Sequence, residues 1–128
     1  MKLLFSLIIA LLVNLCLAKA SIDKRLEKLY MKLSECSYTV TSGYRTKKHN
    51  KKVGGAPNSY HLYDRARDIT STKECRDDLG KAALQEGLTV IYYNKHIHVD
   101  DREEAKCLIK VKNGFRDCNN LMLRTRLE

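Results

Sequence analysis

Apolar residues recur at helical spacing in two stretches of the chain. Residues 22–35 place isoleucine and leucine three and four positions apart, and Ser21 is available as N-cap, which predicts an amphipathic helix. Ser71 and Glu74 have the spacing of a capping box that opens a second helix, and Gly87 is a typical residue to end it. Each helix would bury one side against a core and leave its charged side in water.

Short β-prone runs account for most of the remaining pattern. Residues 37–42 alternate in polarity, residues 65–70 form a second such run, and residues 88–93 are strongly β-prone. Residues 96–100 predict a further strand, and Asn113-Gly114 is a hairpin signal near the end of the chain. This mixture predicts an α+β fold, in which a small antiparallel sheet carries flanking helices.

The first twenty residues have the pattern of a signal peptide. Lys2 precedes an apolar run over residues 3–17, and Ala18-Lys19-Ala20 supplies the small residues that signal peptidase recognises. The run of about 15 residues is shorter than the roughly 20 of a membrane span, although a retained signal anchor is the alternative. We therefore predict residues 21–128 as one secreted domain, extracellular or periplasmic, with no stable membrane insertion after cleavage.

The net charge indicates which partners suit the domain. It is +9 for the whole chain and falls to +7 when Lys2 and Lys19 leave with the signal peptide. A basic secreted domain is attracted to anionic surfaces such as cell-wall polymers. Nucleic acid is disfavoured, because the lysines are scattered and tryptophan is absent. We expect a monomer.

Four cysteines remain after removal of the signal peptide. In a short secreted chain they predict two disulfides, for which three connectivities are possible. We favour Cys36 with Cys75 and Cys107 with Cys118, because the second pair would flank the hairpin signal. A zinc site built from all four thiolates is the alternative, but the chain contains no CxxC pair.

Histidine and aspartate residues in two separated segments form the candidate chemical site. His61 and Asp68 lie in the first segment, and His96, His98 and Asp100 lie in the second. Two imidazoles and one carboxylate suit a zinc ion that keeps one coordination position for water. Residues two apart in a strand face the same side, so the second segment would point all three side chains one way.

Several sequence motifs surround these residues. They are Thr41-Ser42-Gly43-Tyr44-Arg45-Thr46, His49-Asn50, Val53-Gly54-Gly55-Ala56-Pro57-Asn58-Ser59-Tyr60-His61, Ala66-Arg67-Asp68-Ile69 and Tyr92-Tyr93 followed by His96-Ile97-His98-Val99-Asp100. Together they closely resemble the M15 peptidases, a family of zinc D-Ala-D-Ala carboxypeptidases and murein endopeptidases, and the resemblance covers about residues 39–102. A related resemblance extends to the amino-terminal signalling domain of hedgehog proteins, which shares the fold and the zinc site but acts chiefly as a ligand for receptors.

The resemblance implies one zinc ion bound by His61, Asp68 and His98. It also implies that Arg45 faces the site and holds a substrate carboxylate or the developing oxyanion, a task that suits a guanidinium; a surface salt bridge is the alternative for this residue. The implied reaction is zinc-dependent hydrolysis of peptide bonds in bacterial peptidoglycan stem peptides.

The general base is the part of the resemblance that this sequence does not reproduce. Where the family places an acidic residue, this chain has Lys95, and hedgehog-like sequences have a glutamate where this chain has Asn94. Asp100 is the first candidate for the base and His96 the second. Asp100 is equally suited to orienting a ligand histidine. The missing acid keeps open a second function, a non-catalytic zinc-stabilised binding or signalling domain.

Two further positions beside the predicted ligands carry an expectation. Asp64 stands where the family usually has glycine, and aspartate tolerates a left-handed backbone better than most residues. Arg67 is expected to point outward from its strand.

Overall fold

The fold is built from three α-helices, a short 3₁₀ helix and six strands. The computed structural model describes residues 19–118; most of the predicted signal peptide and residues 119–128 lie outside them. Within that part of the chain, no helix has the length and apolar character needed to cross a bilayer. In chain order the elements are α1 (Ile22–Lys32), β1 (Thr39–Ser42), α2 (Lys47–Lys52), the 3₁₀ helix (Tyr60–Tyr63), β2 (Ala66–Thr70), α3 (Lys73–Gln85), β3 (Thr89–Tyr92), β4 (Ile97–Asp100), β5 (Cys107–Val111) and β6 (Gly114–Asp117).

The six strands form one sheet in the order β1-β2-β4-β3-β5-β6. Four of the five neighbouring pairs are antiparallel, as the sequence predicts, but β3 and β5 run parallel. The sheet is therefore mixed. The predicted α+β class with flanking helices is confirmed. The parallel pair arises because the chain passes through the antiparallel strand β4 on one side of β3 before it forms β5 on the other side.

Both long helices begin at capped residues. Ser21 accepts a hydrogen bond from the Lys24 amide and caps α1 as predicted. The cap of α3 is Thr72, whose side chain accepts from the Cys75 amide, so the expected capping box at Ser71 is displaced by one residue. The Ser71 hydroxyl instead donates to the Ser37 carbonyl. A threonine adjacent to a serine offers the same capping chemistry, and the tertiary contact of Ser71 decides between them.

The sheet has one face covered by helices and one open face. Because side chains alternate along a strand, β2 turns Ile69 to the helices and Asp68 to the open face. In β4, Ile97 and Val99 likewise lie in the core while His98 lies opposite. Apolar burial against α1 and α3 holds the covered face together. The buried core residues are Ile22, Leu26, Leu29, Ile69, Leu79, Ala82, Ala83, Leu88, Val90, Ile97 and Val99.

Two disulfides have the predicted pairing. Cys36 joins Cys75 and so ties the segment after α1 to α3, and Cys107 joins Cys118 across the β5–β6 hairpin. The hairpin turn is one residue earlier than the sequence signal indicates. Val111 pairs with Gly114, which leaves Lys112 and Asn113 as the turn residues.

Arg67 differs from its predicted outward position. It lies on the helix-covered face, only 7% exposed, with two guanidinium nitrogens 2.8 and 2.9 Å from the Asp23 carboxylate of α1. A third nitrogen lies 2.7 Å from Asp64. Asp64 adopts φ +57° at the end of the 3₁₀ helix, so the left-handed turn forms without glycine. Arg67 therefore links α1, β2 and the segment that carries His61.

Candidate functional site

The three predicted metal ligands meet on the open face of the sheet. His61 lies in the 3₁₀ helix, Asp68 in β2 and His98 in β4, and the last two are direct cross-strand partners. Cross-strand partners have adjacent side chains, which explains how residues thirty positions apart come together. One potential ligand atom from each residue lies within 4.8 Å of the other two.

A backbone carbonyl orients His61. Its Nδ1 lies 2.6 Å from the carbonyl oxygen of Gly43, and a carbonyl can only accept, so Nδ1 carries the proton. The other ring nitrogen, Nε2, lies 3.1 Å from Asp68 Oδ1 and is the nitrogen available to bind a metal. The Arg45 amide donates to the His61 carbonyl at 3.0 Å and fixes the backbone of the same segment.

Asp100 orients His98 in the same manner. Nε2 of His98 lies 3.0 Å from Asp100 Oδ2, and an ionised carboxylate accepts only, so this nitrogen carries the proton. The remaining nitrogen, Nδ1, lies 3.0 Å from Asp68 Oδ1. Each imidazole therefore turns its second nitrogen, the one that is not hydrogen-bonded to Gly43 or Asp100, toward the same carboxylate oxygen, and a proton on that nitrogen would be donated to Asp68.

Asp68 is the carboxylate on which the two rings converge. Its second oxygen accepts from the Arg45 guanidinium at 2.7 Å. Burial alone would raise the pKa of Asp68, but hydrogen bonds from His61 and His98 outweigh burial and hold that pKa well below its usual range. The carboxylate is therefore ionised, as a metal ligand must be.

This donor set fits a divalent metal. Protons on the two imidazole nitrogens that face Asp68 stabilise the three side chains without a metal, and a divalent cation would replace those protons and be coordinated by the same three atoms. Nitrogen and oxygen donors from two histidines and one aspartate suit zinc with one position left for substrate or water. His61 donates to Gly43, His98 donates to Asp100 and Asp68 accepts from Arg45, and hydrogen bonds of this kind are what fix metal ligands in place.

The geometry of Asp100 favours orientation of His98 over proton transfer. The side chain is fully buried, and both oxygens are occupied. The Arg102 amide and Nε donate to Oδ1 at 3.1 and 2.8 Å, while His98 and a second Arg102 nitrogen donate to Oδ2. Burial would raise the pKa of Asp100, but these bonds lower it to about 2. A carboxylate so engaged is a weak base, and it does not line the cleft.

His96, the second candidate for the base, lies in the cleft beside the metal ligands. Its ring stacks on Tyr93 with 4.5 Å between centroids and an angle of 10° between planes. Burial lowers the pKa of His96, so the imidazole is neutral near pH 7 and able to accept a proton. Of the described residues that line the cleft, Asp68 alone is acidic. Apart from Asp68, the described lining therefore supplies no carboxylate that could replace the acidic residue missing at Asn94 or Lys95.

The cleft has a volume of about 700 Å³ and extends beyond the predicted site residues. Arg45 lines it, and its Nε donates to Ser42 at 2.9 Å, so this residue combines a structural ion pair with a position facing the site. Sequence reasoning missed the wall that β5 and β6 contribute, which consists of Leu108, Lys110 and Phe115. Leu108 and Lys110 are two residues apart, so the sequence could place them on the same face of a strand. Only the pairing of β5 with β3 shows that this face lines the cleft.

Comparison with known proteins places these features in a family context. Residues 14–100 match the family described as Peptidase M15. The chain is also 32% identical over 81 residues to the zinc D-Ala-D-Ala carboxypeptidase of Streptomyces albus G. That match covers 59% of this chain and 32% of the relative, so the chain spans about a third of that protein's length.

Proposed function

This chain belongs to the peptidase M15 family, and on that basis we propose that it is a secreted zinc peptidase that hydrolyses peptide bonds in peptidoglycan stem peptides. The observation that carries the proposal is the convergence of His61, Asp68 and His98, each of which directs one potential ligand atom at the same point. The three side chains line a cleft large enough for several residues of a peptide.

One zinc ion held by these three residues would polarise the scissile carbonyl and make a hydroxide-like nucleophile available near neutral pH. The remaining residues would position the substrate and transfer protons. Arg45 is fixed by Asp68 and Ser42, with a guanidinium that faces the cleft and is suited to a carboxylate or a developing oxyanion. His96 is the neutral imidazole that we assign as acceptor of the proton from the attacking water molecule.

The substrate class follows from the relative, whose name specifies a D-Ala-D-Ala carboxypeptidase. The basic charge of the domain suits attraction to an anionic cell wall. Both carboxypeptidase and endopeptidase action are consistent with a cleft that is open to solvent. Secretion rests on the signal-peptide pattern of residues 1–20, and sequencing the amino terminus of the exported protein would check cleavage after Ala20.

The decisive experiment uses the oxidised protein, residues 21–128, loaded with zinc and incubated with defined muropeptides. Mass spectrometry of the products should show new termini, and their position identifies the bond. The His61→Ala variant is the control, because it loses one ligand. Intact muropeptides under conditions in which an active M15 enzyme cleaves them would rule the peptidase out.

A second candidate function is favoured by one observation, the lack of a carboxylate base in the described cleft. The chain would then be a zinc-stabilised binding domain without turnover. Zinc that binds only the folded state raises the free energy of unfolding. Chelation should in that case lower the melting temperature and weaken partner binding while no hydrolysis is detected at any metal content. An unchanged melting temperature after chelation would contradict this candidate.

A further inference from the structure

The β5–β6 hairpin adds a wall to the cleft that lies beyond the family match. The match ends at residue 100, whereas the hairpin begins at Cys107. β5 pairs in parallel with β3 at the centre of the sheet, and the Cys107–Cys118 disulfide closes the base of the hairpin. The wall is thus held by both strand pairing and a covalent link, so its side chains have a defined position relative to the metal ligands.

Charge distinguishes Lys110 from the other cations of the cleft. Arg45 lies 2.7 Å from Asp68, and Arg102 lies 2.8 Å from Asp100, so both guanidiniums already have carboxylate partners. Lys110 makes no ion pair with any carboxylate of residues 19–118. Its ammonium lies 4.7 Å from the centre of the Phe115 ring instead. A cation held over an aromatic face keeps its charge available to a third group.

The Phe115 ring provides an apolar surface next to that charge. Phe115 is the cross-strand partner of Lys110 and is 51% exposed. Phe115 and Leu108 together form an apolar surface on this wall, next to the Lys110 ammonium group. This pairing of chemistries matches a peptide residue that carries both an aliphatic portion and a carboxylate.

We propose that Lys110 and Phe115 form a specificity subsite that binds a carboxylate-bearing residue of the peptide substrate. The proposal rests on the proposed peptidase function, which it deepens by identifying the residues that select an anionic peptide. Lys110 pairs with the carboxylate, and Phe115 packs against the adjoining aliphatic atoms. The subsite acts on binding and leaves the chemistry at the metal ligands unchanged.

The test compares synthetic stem pentapeptides in which each carboxylate is either free or converted to the amide. Lys110→Gln removes the charge and keeps most of the length, and Lys110→Arg restores a cation. Lys112→Gln is the matched control, because Lys112 carries the same charge on the hairpin turn but does not line the cleft. Steady-state kinetics with the zinc-loaded protein separate KM from kcat, and titration followed by NMR gives Kd for any peptide that is not cleaved.

We expect Lys110→Gln to raise KM or Kd about fivefold for one free-carboxylate peptide, as for a partly exposed charge pair. The amidated form of that peptide should bind the variant and the wild type equally, and kcat should be unchanged. Lys110→Arg should recover most of the affinity for the free-carboxylate peptide. Phe115→Ala should weaken the binding of both the free-carboxylate and the amidated peptide. Equal behaviour of Lys110→Gln and Lys112→Gln on every peptide would overturn the subsite.

The two proposals fail in different ways. If the wild type cleaves a peptide but Lys110→Gln shows no dependence on the carboxylate, the subsite is wrong and the peptidase stands. If the wild type cleaves nothing yet Lys110→Gln lowers affinity for the carboxylate peptide alone, the subsite stands and the peptidase is wrong. If the wild type neither cleaves nor binds any of the peptides, both proposals are wrong.

Discussion

Arg65 and Arg102 lie against the same tyrosine ring but contact different carboxylates. Their guanidinium carbons are 5.2 and 5.0 Å from the centre of the Tyr60 ring. Arg102 donates to Asp100, which orients the proposed ligand His98, whereas Arg65 donates to Asp101 at 2.6 Å. Both arginines therefore lie against Tyr60 and pair with a carboxylate, but only Arg102 is connected to a proposed metal ligand.

Replacing Arg102 should therefore weaken metal binding. Arg102→Gln removes the guanidinium bonds that hold Asp100, so His98 loses its fixed orientation and zinc affinity should fall about tenfold or more. Competition with a chromogenic chelator measures the affinity directly. Arg65→Gln is the control and should leave it within about twofold, and a similar loss in both variants would mean that the effect is general destabilisation.

The convergence of His61, Asp68 and His98 could be predicted from sequence because the segments that contain them resemble those of the M15 peptidases. The groups that orient them could not. Gly43 acts through a carbonyl that every residue possesses, and Arg102 is one of many arginines until folding places it against Asp100. A partner defined by tertiary contact leaves no local pattern to detect.

α3 and β3 approach each other closely at a glycine. A Cβ built on Gly80 would lie 2.1 Å from the Tyr92 hydroxyl oxygen and 2.7 Å from the ring carbon that bears it. The tyrosine ring is partly buried and packs against the core. The absence of a side chain at residue 80 therefore sets the distance between the helix and the sheet.

Gly80→Ala should be destabilising by about 1–3 kcal/mol, the usual cost of overpacking. The intrinsic preference of helices for alanine acts in the opposite direction by up to about 1 kcal/mol, so the sign of the effect is diagnostic. Urea unfolding measures it. Lys81→Ala, at the next and exposed position, should be nearly neutral; a stabilising Gly80→Ala would show that Tyr92 moves aside freely.

The secondary-structure elements were predictable to the extent that local pattern determines them. Both long helices follow from apolar spacing, and the strands follow from β-prone runs. The parallel pairing of β3 with β5 was missed because the chain between them contains β4, and nothing local states on which side of β3 the next strand adds. The hairpin turn was misplaced by one residue because Lys112 carries no turn signal, while Gly114 carries a strong one.

Two tyrosines, Tyr30 and Tyr92, are partly buried against the core of the folded molecule. Burial raises the pKa of both Tyr30 and Tyr92 to about 12, from an ordinary value of 10.0. In the unfolded chain both phenols ionise near pH 10, while in the folded state they stay protonated. Between those values the native state binds more protons than the unfolded state, so the free energy of unfolding should fall as pH rises.

Urea unfolding at pH values from 9 to 12 should show that decline beginning near pH 10. Tyr30→Phe should make the decline shallower, because one of the two phenols is removed. The Tyr30 hydroxyl makes no hydrogen bond with any described residue, so the variant should lose little stability at neutral pH. An identical pH dependence in the variant and the wild type would contradict the assignment of Tyr30.

The unequal support of the two histidines has an evolutionary consequence. The group that orients His61 is a main-chain oxygen, which no single codon change can delete, although a change at residue 43 can move it. The group that orients His98 is a side chain, which one nucleotide change can remove together with its charge. Single substitutions at residues 100 and 102 can therefore release the orientation of His98, whereas no change of side chain removes the oxygen that orients His61.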